Sequence, residues 1–365
     1  MNYDFPSILS NFALEGEFRK AEPFGSGHIH ETFAVTFERE GKPIRYVLQR
    51  VNKTIFPDAE ALQENIQRVT SHLERKLKER GVPDWPNRVL RLYPTSEGKT
   101  YFVNGEGYYW RVYNMIEGGR TYDRLESLDQ AFQAAKAFGG FQSDLQDLPG
   151  PPLHEIIPKF HDGPWRYSQF QEALDKDPKN RAAKAKEEIR FLQEHAPIFQ
   201  VLPRLQAEGK IPLRITHNDT KINNVVLSDE TGEALAVIDL DTVMPGLSLF
   251  DFGDIVRTTV SNSDEDERDL EKVRVDLDRF SAVLRGFLAG AGSFLNETER
   301  AHLVFSGKLI TLIIGTRFLT DYLAGDVYFH VHRPDHNLDR ARTQFKLVQS
   351  ITENEEAMNR LVEEI

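Results

Sequence analysis

Residues 215–227 read ITHNDTKINNVVL. Between the β-prone ends Ile215–Thr216 and Val225–Leu227 lies a polar run, His217 to Lys221, closed by Asn223 and Asn224. Burying a carboxylate, an ammonium and amides without partners costs on the order of several kcal/mol. Such groups therefore face a ligand, a metal or water. After the turn-prone DETGE comes a second run, LAVIDLDT, in which an apolar strand ends at Asp239. NVVL and LAVI pair as a hairpin, and the chemistry of the chain concentrates at its ends.

The residues upstream of this island read mostly as strands. Candidate strands are Glu31 to Phe37 and Tyr46 to Val51, joined by the turn-prone EGKP. From Asp58 to Arg80, Leu62, Ile66, Val69 and Leu73 fall on one helical face, and Gly81 stops the helix. Two more β-prone stretches, Thr100 to Val103 and Tyr108 to Ile116, flank the turn NGEG. After EGG at Glu117 to Gly119 the pattern turns helical: Leu128 to Leu145, Tyr167 to Leu174, Arg181 to Glu194, Leu270 to Leu288, Glu297 to Leu323 and Arg340 to Ile365. The expected class is α+β: a small antiparallel β-sheet lobe, residues 1–116, plus a large mainly helical lobe, residues 117–365, with the hairpin embedded in it.

At 365 residues two compact lobes are the default expectation, and the absence of cysteine excludes disulfides and thiolate metal sites. The net charge of −12 is uneven, because residues 1–118 carry 16 Lys+Arg against 16 Asp+Glu. An acidic helical lobe argues against nucleic acid as a partner, since phosphate neutralisation dominates that affinity. No basic and apolar leader and no uninterrupted apolar run of about 18 residues is evident, so no membrane partner is expected and the cytoplasm is the expected compartment.

His217, Asp219 and Asn224 fit H-x-D-x-x-x-x-N, the spacing of a kinase catalytic loop. There a carboxylate at Asp219 accepts a hydroxyl proton, and the amide oxygen of Asn224 is a hard neutral ligand for Mg²⁺. Lys221 is placed to offset charge developing on a transferred phosphate. Asp239 follows Asp219 by 20 residues, a spacing suited to a second metal-binding carboxylate. The nearby LFDFGD carries the letters Asp251-Phe252-Gly253 of the protein-kinase metal motif, but no apolar strand precedes it. Asp251 is expected to brace the loop backbone instead. Gly25 and Gly27 in EPFGSGHIHETF allow close approach of backbone N–H groups to phosphate, although an ordinary hairpin turn explains them equally well. His28 and His30 lack a third metal ligand at a telling spacing, so a hydrogen bond from His28 to a substrate or phosphate oxygen is the expectation.

These residues resemble the aminoglycoside phosphotransferase family, small-molecule kinases of protein-kinase-like two-lobe fold. FALEG, GHI, NKTIFPD, WRVYNMIE, THNDTKINN, IDLDTVMPG, LFDFGD, RFLTDYLAGDVYF and HNLDRARTQFKLVQ extend the likeness from Phe12 to about Gln349. They are similar to the branch that transfers the ATP γ-phosphate to the anomeric hydroxyl of N-acetylglucosamine or N-acetylgalactosamine. The resemblance implies Asp219 as base, Asn224 and Asp239 as magnesium ligands, and a hinge at Tyr113, Asn114 and Met115 whose backbone bonds adenine. It also implies His28, Asp241, Thr242 and Arg317 as sugar-site residues, with a monomeric enzyme as the working state. Arg317 sits on an apolar helix, where a buried pair with Asp321 at i+4 is the plain alternative.

The lysine expected on the third strand is missing, with Gln49 and Arg50 in YVLQRV instead. Lys53 or the glycine loop are candidates to compensate, and Glu64 to pair with Arg50. His30 stands where a smaller polar residue is expected. Two other readings stay open: a kinase of another small alcohol such as homoserine, choline or an aminoglycoside, and a nucleotide-binding pseudokinase.

Overall fold

A computed structural model describes residues 3–25 and 29–365. The chain divides into two compact units, the first comprising Met1–Arg120, Asp144–Ile157 and Val225–Met244, the second the remainder. The first is a small antiparallel-sheet unit and the second is larger and mainly helical.

In the first unit, β1 (Glu17–Pro23), β2 (Glu31–Arg39), β3 (Lys42–Arg50), β4 (Phe102–Val103) and β5 (Tyr109–Asn114) form a sheet in the order β1-β2-β3-β5-β4. Its register explains the alternation in the sequence. Val35 faces Tyr46 and Leu48 faces Val112 across the ladder, and all four are buried with Phe37 and Trp110 on one side. Ile8, Leu9 and Phe12 from the N-terminal segment close over that face. The opposite face carries the intervening residues, among them Gln49 directly across from Arg111. The helix Ala59–Glu79 starts at an Asp58 N-cap, whose carboxylate accepts the Ala61 N–H. Leu62, Ile66 and Val69 are fully buried along it, each worth roughly 1.5–3 kcal/mol relative to exposure.

The hairpin Val225–Ser228 with Ala234–Val237 belongs to this first unit, and its first strand pairs with Gly119–Arg120 to become the middle of a three-stranded sheet. Helical periodicity around the hairpin gave no hint of that attachment. Asn65, on the helix Ala59–Glu79, adds to it by donating to the Val243 carbonyl at 3.1 Å.

The second unit is built on the helices Ser248–Thr259, Leu277–Ala291, Leu303–Ala324 and His336–Glu353. Several expected helices are divided. The stretch Glu297–Leu323 starts at a capping box of Asn296 and Glu299 but breaks at His302 into Glu297–Ala301 and Leu303–Ala324. Asp276 caps Leu277–Ala291, leaving Leu270–Lys272 as a 3₁₀ turn. The helix Ser248–Thr259 was not legible as one, because nearly every face of it is buried and no amphipathic stripe results. Gly253 lies where it crosses Leu303–Ala324, and a Cβ there would sit 2.5 Å from the Ser306 carbonyl oxygen. The glycine of the DFG letters thus serves helix packing. Leu303–Ala324 is long and apolar enough to cross a bilayer by length and composition, yet 78% of its most apolar window is buried within the protein.

Candidate active site

The loop His217–Asn224 leaves the short strand Arg214–Thr216 and reaches a 3₁₀ turn at Ile222–Asn224. Asn218 adopts a left-handed backbone conformation, φ 65°, and its side chain folds back to accept from the Thr216 hydroxyl at 3.0 Å. Gly246 makes room for this arrangement, since a Cβ there would stand 2.2 Å from Thr216 Oγ1. Two acids on one face of the helix Ser248–Thr259 then hold the loop backbone. Asp251 Oδ2 accepts the His217 N–H at 2.9 Å and the Gln142 amide at 2.5 Å, while Oδ1 accepts the Asn218 N–H at 2.7 Å. One turn on, Asp254 Oδ2 accepts the Thr220 N–H at 2.9 Å.

The two carboxylates differ in charge environment. Burial pushes the Asp251 carboxyl up, against the pull of His217 and the N–H groups it accepts. Burial opposes ionisation of Asp254 as well, but Arg257, at 2.8 Å, holds its carboxyl below the ordinary value. Asp254 was not singled out from sequence; the signal for it is a pair of acids at i, i+3 on an otherwise apolar helix.

The loop so braced presents Asp219. Asn224 Nδ2 donates to Asp219 Oδ2 at 3.0 Å and to its carbonyl at 2.8 Å, and Lys221 Nζ lies 3.1 Å from the same Oδ2. Two donors converge on one oxygen, which leaves Oδ1 to accept from elsewhere. Because its NH₂ is turned to Asp219, the Asn224 amide offers its oxygen on the other side. Lys221 is more exposed than Asp219, 41% against 27% of the side chain. His217 is fully buried against the edges of Phe138 and Phe141, an orienting residue of the loop. His161 Nε2 meets the Asn218 carbonyl at 3.0 Å, and burial pushes this imidazole down to about 4, so it is neutral at physiological pH.

Near this loop the second unit also holds two guanidinium groups without a carboxylate in ion-pair range among the described residues. Arg317 stacks over Phe160, Phe329 and Tyr328, with 5.2, 5.4 and 5.7 Å to the ring centroids. The alternative pairing with Asp321 does not form. Asp321 instead accepts the backbone N–H groups of Val327, Tyr328 and Phe329, all at 2.8–2.9 Å. Three amide donors satisfy a buried carboxylate as well as one arginine does, and they free Arg317 to turn to the rings. Burial lowers the Arg317 guanidinium, and the charge of Asp219 is close enough to act on it. Arg166 donates twice to the Phe160 carbonyl and is pushed down to about 9 by burial and by Arg317.

In the first unit, two residues past the strand Ala234–Val237, Asp239 adopts a left-handed conformation, φ 60° and ψ 56°, which costs a non-glycine residue roughly 1–2 kcal/mol. Its side chain is exposed and caps nothing in the 3₁₀ turn Leu240–Thr242 that follows. Asp241 is buried in that turn, and Arg111 Nη1 and Nη2 meet its two oxygens at 2.7 Å each. The other edge of the guanidinium is held by Gln49 Oε1, at 2.9 and 2.8 Å. His30 Nδ1 accepts the Asn52 N–H at 3.1 Å while Nε2 lies 3.3 Å from Asp241. Burial opposes the charge on Asp241, but Arg111 and His30 hold its carboxyl well below the usual carboxylate range. Thr242 closes the same turn, half-buried.

The remaining expected residues are placed as follows. Tyr113 is buried on β5, and the Asn114 and Met115 N–H groups donate to the Arg91 and Arg45 carbonyls at 3.2 and 3.4 Å. Gly25 has φ 81° with open space around it, while Gly27 and His28 lie outside the described residues. Arg50 pairs with Glu31 rather than Glu64, which meets His154 at 3.0 Å, since β2 and β3 bring Glu31 and Arg50 into register. Lys53 lies over the Tyr109 ring.

Among the described residues no group of three or more His, Asp or Glu side chains stands ready to hold a metal. The oxygen donors of Asn224 and Asp239 are nonetheless of the hard type that magnesium uses when nucleotide phosphates and water complete its shell. Residues 20–287 match the Phosphotransferase enzyme family. Among solved structures, an aminoglycoside phosphotransferase from Alicyclobacillus acidocaldarius superposes with a TM-score of 0.64 at 14% identity, covering 100% of this chain and 98% of its own. A choline kinase from Cryptosporidium parvum gives 0.54 at 14% identity, with 93% and 91% covered. An ethanolamine kinase from Plasmodium vivax gives 0.53 at 12%, with 89% and 82% covered. The fold shared with them is the protein-kinase-like one.

Proposed function

Since the chain belongs to the phosphotransferase enzyme family, we propose that it is an N-acetylhexosamine 1-kinase, moving the γ-phosphate of ATP to the C1 hydroxyl of an N-acetylhexosamine with Mg²⁺ as cofactor. The observation that carries the choice of acceptor is the environment of Asp219. Arg317 fills the aromatic cluster of Phe160, Tyr328 and Phe329, and Arg166 adds a second guanidinium beside it. A quaternary ammonium is recognised by an open aromatic cage, and a polyamine by clustered acids. Here the cage already holds the chain's own cation. That favours a neutral, oxygen-rich acceptor over choline or an aminoglycoside, and among neutral acceptors the sequence resemblance favours N-acetylhexosamines.

Asp219 is the proposed base. Lys221 and Asn224 occupy its Oδ2, so Oδ1 is the oxygen that takes the hydroxyl proton. An anomeric hydroxyl is more acidic than an ordinary alcohol, and a carboxylate needs no unusual basicity to accept from it. Positioning and charge neutralisation then carry most of the rate. Asn224 and Asp239 are the proposed magnesium ligands, and bound magnesium would neutralise charge on the phosphates. Gly25 and Gly27 are the proposed phosphate-loop glycines, Tyr113 to Met115 the adenine hinge, and His28 and Thr242 further sugar contacts. Asp241 and Arg317 are proposed as sugar-site residues with them.

ATP consumption with Mg²⁺ against N-acetylhexosamines, their 1-O-methyl derivatives, choline, homoserine and an aminoglycoside tests this. Turnover with the free sugars alone is the expected result. Turnover confined to another alcohol would overturn the acceptor, and nucleotide binding without any turnover would favour the pseudokinase.

A further inference from the structure

The charge expected on the third strand is not lost from the first unit but moved one strand over. Gln49 occupies the expected lysine position on β3, and Arg111 lies directly opposite on β5. Arg111 is only 1% exposed. Its Nε and Nη2 are held by Gln49, and its Nη1 and Nη2 by Asp241. A guanidinium so committed is not offered to a phosphate. It is offered to the turn Leu240–Thr242, which starts at the left-handed Asp239. Other groups of the unit also touch that turn, among them His30 beside Asp241, the Val243 N–H on the Leu240 carbonyl, and Asn65 on the Val243 carbonyl. None of these grips both oxygens of Asp241 in one plane, as a guanidinium does.

We propose that Arg111 is a positioning residue: through Asp241 it fixes the turn 239–242, and so the direction in which Asp239 presents its carboxylate to a divalent cation. Gln49 is its partner, accepting on the far edge of the guanidinium so that the fork stays aimed at Asp241. The inference rests on reading Asp239 as a metal ligand. Residues that hold a ligating side chain in place typically change metal affinity by about 10–100-fold when altered. A merely structural ion pair between strand and turn would change stability and leave the affinity of the folded protein alone.

The test is Mn²⁺ binding in the presence of ADP, followed by electron paramagnetic resonance, with thermal unfolding measured alongside. No acceptor and no turnover are needed. Arg111→Lys keeps the charge and loses the two-pronged grip; its expected effect is a rise in the Mn²⁺ dissociation constant of about 10-fold or more. Gln49→Met, which keeps strand packing and removes the far-edge acceptor, is expected to act in the same direction but less, and it decides the matter if Arg111→Lys does not fold. Wild-type Mn²⁺ affinity in the folded variant overturns the positioning role. Asp239→Asn is the control: Mn²⁺ affinity unchanged there overturns the metal-ligand reading itself, and a loss there with no change at Arg111 overturns the proposal alone.

Discussion

Asp251→Asn removes one formal charge and changes almost no volume, which makes it a sharp test of how the loop 217–220 is held. The carboxylate accepts the His217 N–H and the Gln142 amide on Oδ2 and the Asn218 N–H on Oδ1. An asparagine keeps one acceptor oxygen. In its better orientation that oxygen serves His217 and Gln142, and the new NH₂ points at the Asn218 N–H from which Oδ1 now accepts at 2.7 Å. One charge-assisted bond worth about 1.5–3 kcal/mol is lost, and a buried N–H is left facing a donor at a further cost of about 1–3 kcal/mol. Against this, the variant no longer ionises a group that burial disfavours, as the upward push on the Asp251 carboxyl indicates. The net expectation is a loss of about 2–4 kcal/mol in stability. Because the displaced N–H immediately precedes Asp219, a shift of this proposed base by about 1 Å should lower kcat roughly 100-fold, with nucleotide affinity held within a few-fold. Urea unfolding, steady-state kinetics and nucleotide titration measure the three quantities. Wild-type kcat and midpoint in this variant would refute the bracing argument.

Asp219→Asn is expected to abolish most turnover while sparing ATP binding, and near-wild-type kcat would show that another group is the base. His161 takes up a proton in the unfolded chain near its ordinary 6.5 but, buried, not until about 4 in the folded one. Stability should therefore fall as pH drops through that window, by roughly 3 kcal/mol at its lower end. His161→Gln should flatten that part of the unfolding-versus-pH curve, and an unchanged slope would assign it to other groups. Glu299 is 1% exposed, pairs with Arg214 at 2.7–2.8 Å and completes the Asn296 capping box. Glu299→Ala should cost about 3–5 kcal/mol in denaturant unfolding, chiefly by stranding Arg214, and a loss under about 1 kcal/mol would contradict that role.

The polar run His217 to Lys221 was legible because polar groups between two strand-forming ends have few uses, and the spacing of Asp219 and Asn224 narrowed them. The antiparallel sheet was legible from period-two alternation, which survives because one face is buried under Ile8, Leu9 and Phe12. β1 was not read as a strand. It is an edge strand, mostly exposed, and carries no apolar alternation. Arg111 and Asp241 lie 130 residues apart and Asp254 and Thr220 lie 34 apart, so no local pattern announces either contact. Asp321 shows the limit of spacing rules. Arg317 and Asp321 stand at i, i+4 on one helix, yet the chain that turns back after Gly325 supplies three N–H donors and takes the carboxylate first.

The most direct test of the central claim is to identify the phosphorylated atom. Incubating the protein with ATP, Mg²⁺ and N-acetylglucosamine or N-acetylgalactosamine, and recording ³¹P and ¹H spectra of the product, places the phosphate by its coupling to the ring protons. The account predicts coupling to the anomeric proton and no product from the 1-O-methyl sugar. A phosphate coupled to any other ring position, or a phosphorylated methyl glycoside, would contradict it.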